Sequence, residues 1–163
     1  MHQHQQAHLP YDLNRGRWED KVFIWPLRVY YEDSDMSGHV FHANYLKYAE
    51  RGRSEMIRAM HIPPLYLREK EKIYFVIRKI EVDFIASCFV DDFLEVKTNV
   101  LKFAPTNVLF SQEIMKQNKL IASLKVHMAC MNLEGKITKL PEIIKEIYNQ
   151  LPDLSFAKNR VLV

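Results

Sequence analysis

The chain has 163 residues, 48% of them hydrophobic and 26% charged, as expected of one globular domain with a sizeable core. Its formal net charge of +3 is scattered along the sequence, which argues against nucleic acid as the main partner, a role that needs a concentrated basic face. There is no apolar run near the roughly 18 residues of a membrane span and no apolar leader, and Cys88 and Cys130 stand in no metal-ligand or CxxC spacing, so a reduced, cytoplasmic protein is expected.

Residues 1–20 are polar, carry His2, His4 and His8, and read as a flexible extension. Residues 22–31 read as a strand, with Leu27, Val29 and Tyr31 on one face by period-two alternation. Pro26 stands near its start, where an edge tolerates the missing N–H. Residues 32–38 form a loop rich in turn formers: Asp33, Ser34, Asp35, Ser37 and Gly38.

Residues 42–60 then give the longest helical pattern of the chain. Tyr45, Leu46, Ala49, Met56, Ile57 and Met60 lie on an apolar stripe, with Lys47, Arg51, Ser54 and Arg58 opposite. Gly52 is costly inside a helix unless the helix packs closely on a sheet there. Pro63 and Pro64 end the pattern, because a residue before proline avoids the helical region.

From about residue 72 the periodicity is that of strands. Ile73, Phe75 and Ile77 alternate, and Ile80, Val82 and Phe84 alternate with opposite parity, so a bulge is expected at Arg78 and Lys79. Strands follow over residues 93–103, 106–116 and 119–132, with Gln117 and Asn118 as a short hairpin turn. Pro141 opens a short helix that buries Ile143, Ile144, Ile147 and Leu151. The organisation is thus an extension over 1–20, one domain over 21–152 and a tail over 153–163. Consecutive strands joined by hairpins argue for an antiparallel sheet, one face of which the long helix covers: an α+β architecture.

Chemistry concentrates between the first strand and the long helix. Asp33 and Asp35 are each a candidate general base or nucleophile toward a carbonyl, and each is equally a turn-forming aspartate. The unpaired N–H groups at the helix start, seven residues beyond Asp35, can stabilise charge on a carbonyl oxygen, which suits attack on an ester or thioester. His39 and His42 form an HxxH, but no further strong ligand has matching spacing, and no metal is expected. His42 instead suits substrate orientation. Tyr31 is a pocket or core tyrosine, Glu50 a supporting residue paired with Arg53 or another base, and Arg78 and Lys79 a candidate phosphate contact beside the bulge.

The stretch YYEDSDMSGHVFHANYLKYAERGRSEM, with FVIRKIEVDF and DDFLEV after it, resembles the hotdog-fold acyl-CoA thioesterases of the 4-hydroxybenzoyl-CoA thioesterase type. Within them it is similar to the YbgC group, associated with the Tol–Pal genes of Gram-negative bacteria. The resemblance covers residues from about 25 to 140 and implies a long central helix wrapped by an antiparallel sheet of about five strands. It implies dimers joined edge to edge, often paired into tetramers, with active sites at the dimer interface. It points to Asp35 as the catalytic carboxylate and to Tyr31 and His42 as pocket residues, with the His42 backbone N–H polarising the thioester carbonyl. Phe41 replaces a usual Tyr, His39 a usual small or apolar residue, and Ser87, Cys88 and Phe89 a usual Pro-Ala-Arg run.

The resulting expectation is hydrolysis of acyl-CoA to a free acid and CoA, without metal or other cofactor. Asp35 serves as general base or nucleophile. Acyl carrier protein is an alternative carrier of the acyl group. The rival reading is a non-catalytic acyl- or acyl-carrier-protein-binding module of the same fold.

Overall fold

The structure, a computed structural model, describes residues 16–151. The N-terminal histidines and the tail beyond residue 151 lie outside the described residues. Six strands form one antiparallel sheet in the order β1-β2-β4-β5-β6-β3. They are β1 (Arg17–Glu19), β2 (Val22–Arg28), β3 (Ile73–Phe84), β4 (Phe93–Phe103), β5 (Asn107–Lys116) and β6 (Lys119–Asn132). The helices are α1 (His42–Ala59), α2 (Pro64–Glu69) and α3 (Glu142–Asn149).

This is the hotdog fold, with one strand more than the expected five. The extra strand is β1, within residues assigned from sequence to a flexible extension. It is only three residues long and pairs with Val22–Ile24 through a two-residue turn in which Asp20 takes φ 52°. A strand this short shows no alternation from which to read it. Beyond Ile24 the outer side of β2 carries no partner among the described residues, so Pro26 sits mid-strand where its missing N–H costs no ladder bond.

The helix α1 follows β2 near one side of the sheet, packs across β2, β4 and β5, and leads through α2 to β3 at the opposite edge. It buries Tyr45, Tyr48, Ala49, Gly52, Arg53 and Met56, a helical stripe that includes one cation. Gly52 is explained by proximity: a Cβ there would stand 2.7 Å from Val96 Cγ1 and 3.2 Å from its Cβ. The two prolines after α1 do more than stop it. Pro64 opens α2, which the sequence reading missed, in the first helical position that suits proline.

The inward faces of β4 and β5 alternate as expected, with Leu94, Val96, Val108, Phe110 and Ile114 buried. Thr98 and Gln112 are buried among them. The Gln112 amide donates to Ala49 O at 2.8 Å and Thr98 Oγ1 at 2.9 Å, and accepts from Arg53 Nη1 at 2.7 Å. Helix and sheet are therefore joined through a polar contact within an apolar interface. The expected bulge is present: the β3–β6 register shifts between Ile77 and Lys79.

Candidate active site

Between β2 and α1 the chain makes a 3-10 turn over Tyr31–Asp33 and then a tight loop. Ser34 bridges Val40, Asp35 N–H donates to His39 O at 3.0 Å, and Gly38 closes the turn at φ +80°. The loop is stitched to residues 87–89: Val40 N–H donates to Cys88 O at 2.8 Å, and His39 bridges Phe89 with ring centroids 4.6 Å apart. Residues 87–89 are thus the wall behind the acidic loop.

The two aspartates have separate jobs. Asp33 is buried; its carboxylate accepts the Tyr30 N–H at 2.8 Å and Asn44 Nδ2 at 3.1 Å. Its carbonyl accepts the Phe41 N–H at 2.8 Å. Asp33 therefore fastens the 3-10 turn to the first turn of α1. Asp35 is fully exposed, with Oδ1 accepting the Ser37 N–H at 2.7 Å and the Ser37 hydroxyl. Ser37 Oγ in turn lies 2.8 Å from His39 Nδ1. The Ser37 hydroxyl and N–H, with the nearby His39 and His42 rings, hold the Asp35 carboxyl below the usual carboxylate range. At neutral pH it is an anion, as a base or nucleophile must be.

Phe41 precedes α1 in extended conformation and offers no side-chain cap. Among the described residues no acceptor meets the N–H of His42 or Ala43. These donors carry the positive end of the helix dipole, and the His42 side chain is near enough to Asp35 to act on its charge. The His42 ring is exposed, 4.5 Å from Phe41 and 6.0 Å from Phe84 between centroids.

The other expected site residues fall elsewhere than alternation and spacing suggest. Tyr31 does not share the face of Leu27 and Val29: the strand ends at Arg28, the 3-10 turn rotates the chain, and Tyr31 is 85% exposed while Val29 is buried. Glu50 is eight residues, about 12 Å, along α1 from His42. It accepts the Ser54 hydroxyl at 2.6 Å, not Arg53, whose hydrogen bond goes to Gln112. Arg78 and Lys79 are exposed at the bulge on edge strand β3, and Lys79 pairs with Glu81. They precede Phe84, whose ring lies 6.0 Å from that of His42, by six and five residues, about 15–20 Å of strand.

Ser37, Asn44 and Gln112 were not singled out for these contacts. Their partners are set by the loop and the sheet and left no spacing signal in the sequence. Cys88 and Cys130 are buried thiols; burial raises both, Cys130 to about 11, so neither is a poised nucleophile. Among the described residues no three His, Cys, Asp or Glu side chains converge as a metal site, and no helix is long and apolar enough to cross a membrane.

A long helix packed over one face of an antiparallel sheet, with an ionised aspartate before its open N-terminus, defines a hotdog protein of the thioesterase class. The thioesterase-like superfamily model matches residues 29–151. The "Acyl-CoA thioester hydrolase YbgC" of Escherichia coli O6:H1 is 37% identical, covering 79% of this chain and 97% of that protein. The "Acyl-CoA thioesterase YbgC" of Haemophilus influenzae is 33% identical, covering 81% and 98%. A crystal structure described as a probable thioesterase from Bartonella henselae superposes with a TM-score of 0.70 at 35% identity, covering 72% of this chain and 98% of that one. The chain belongs to the thioesterase-like superfamily and, within it, to the family of the YbgC acyl-CoA thioesterases.

Proposed function

We propose that the protein hydrolyses acyl-CoA thioesters to a free carboxylic acid and CoA. The observation that carries this reading is the ionised, solvent-facing Asp35 beside the open N–H groups of His42 and Ala43. The thioester carbonyl oxygen accepts the His42 N–H, which stabilises the negative charge that develops on it. Asp35 then takes a proton from a water that attacks the carbonyl carbon, or attacks that carbon itself to give a mixed anhydride that water opens. In both routes the C–S bond breaks, the sulfur leaves as the CoA thiolate and is protonated, and the acyl carbon gains the water oxygen. The His42 ring orients the substrate; Tyr31 lines the outer face of the site, and Glu50 supports the helix.

The site is open on one side and β3 is an unpartnered edge among the described residues, so two copies joined along β3 would close it, with two such dimers making a tetramer. A second copy is also what would bring Arg78 and Lys79 toward the phosphates of CoA. Location in the cytoplasm, a link to Tol–Pal genes and acyl carrier protein as an alternative carrier belong to the same reading.

The test is thiol release from a panel of acyl-CoAs, short to long and one aromatic, with chelator present, for wild type and Asp35→Asn. Turnover that collapses in the folded variant supports the reading. Equal turnover removes Asp35 from the chemistry, and no turnover on any substrate favours a non-catalytic acyl- or acyl-carrier-protein-binding module.

A further inference from the structure

Beyond the acidic loop, a cavity of about 390 Å³ lies between the second half of α1 and the β3 side of the sheet. This is ligand size. Its walls change character along the helix. Glu50, Arg53 and Ser54 stand at one end; Met56, Met60 and Leu67 follow, faced by Phe75, Phe103 and Met128.

Arg53 sets the chemistry. It is 5% exposed, and its one hydrogen bond among the described residues is from Nη1 to the neutral Gln112 carbonyl oxygen. A guanidinium has five N–H donors, and a buried charge without a counter-ion is costly. Burial lowers its pKa to about 10, with Glu50 acting the other way, so it stays charged at neutral pH. Glu50 does not close the pair: it is exposed and its carboxylate takes the Ser54 hydroxyl. An apolar, methionine-lined chamber with an under-satisfied cation at one end is complementary to an amphiphilic anion.

We propose that this cavity binds an aliphatic carboxylate, with its alkyl chain against the methionine and phenylalanine side chains and its carboxylate on Arg53. Methionine walls adapt to chain shape, and the planar guanidinium matches a carboxylate with paired N–H donors. The site is distinct from Asp35 and stands without the hydrolysis assigned there, although its ligand class is the acid that such hydrolysis releases.

The test is calorimetric titration of the full-length protein with octanoate, octan-1-ol and acetate. Octanoate is expected to bind saturably, with the alcohol and acetate at least tenfold weaker. Arg53→Met brings octanoate down to the level of the alcohol, Ile57→Trp fills the chamber and removes binding, and Glu50→Gln tightens octanoate by relieving like-charge repulsion. Asp35→Asn leaves the affinity unchanged, so failure at the reaction site is separable from failure here. Equal affinity for octanoate and octan-1-ol, no saturable heat, or loss of binding in Asp35→Asn overturns the proposal. So does an Arg53→Met variant that loses its oligomeric state while wild type binds no octanoate, which would give the guanidinium to a second copy. If Arg53→Met does not fold, the opposite responses of Glu50→Gln and Ile57→Trp decide.

Discussion

Asp33 Oδ1 meets Asn44 Nδ2 at 3.1 Å, both side chains buried, and this contact fixes where α1 begins relative to the acidic loop. Asn44→Ala leaves a buried carboxylate oxygen without its donor. The expected cost is about 1–3 kcal/mol, read as a lower urea midpoint with an unchanged slope. The loss of activity should exceed what that unfolding explains, because the helix start shifts against Asp35.

Ser37→Ala removes the largest influence holding the Asp35 carboxyl low, so the Asp35 pKa rises. In the proposed mechanism the working form is the anion, and activity falls as pH drops through that pKa. The acid limb of kcat/KM should therefore move to higher pH in the variant, with little change near neutrality. An unmoved limb would separate Ser37 from the group that titrates.

Gly52→Ala pits helix propensity against packing. Alanine gains about 1 kcal/mol in a helix interior, but the new Cβ meets Val96, which is fully buried and has nowhere to retreat. Overpacking of this kind costs about 1–3 kcal/mol, so a lower melting temperature is expected. Adding Val96→Ala should cost less in the Gly52→Ala background than in wild type, a coupling that a double-mutant cycle measures.

Alkaline pH should loosen the core through Cys130. Its folded pKa of about 11 lies above the ordinary thiol value of 9.0, so its stabilising influence is complete below pH 9 and is lost as pH rises through 11. Thermal melts against pH for wild type and Cys130→Ala should therefore converge across that window. Parallel curves would show that the thiol does not titrate there.

Light scattering should give a mass that is a multiple of 19.4 kDa. A monomer would leave the open side of the site uncovered and count against closure along β3.

Much of this architecture is legible in the residues because alternation and helical spacing are read locally. Residues 93–103 and 119–132 match β4 and β6 at both ends, and the parity switch at Arg78 marks the bulge. Tyr31 failed for the reason alternation works elsewhere: the rule holds only while the strand lasts, and this one stops at Arg28. The sequence offers Arg53 or another base as a partner for Glu50, whereas the fold gives Arg53 to Gln112, a partner that only the sheet supplies. Spacing alone could not separate Asp33 from Asp35. The distinction depends on Asn44, eleven residues further on and brought back by the turn into α1.

The crossing of α1 from one sheet edge to the other also sets a folding order. β4, β5 and β6 are joined by short turns, whereas Phe23 must find Thr98 to seat β2. Loop-closure entropy favours the local pairs, so the meander should consolidate first and β2 dock late, bringing the Asp35 loop with it. Native-state hydrogen exchange should accordingly find β5 amides opening only with the whole molecule and β2 amides opening earlier. Equal protection in the two strands would contradict this order. The part of the chain that carries the proposed reacting carboxylate would then be the part that can detach while the rest stays folded.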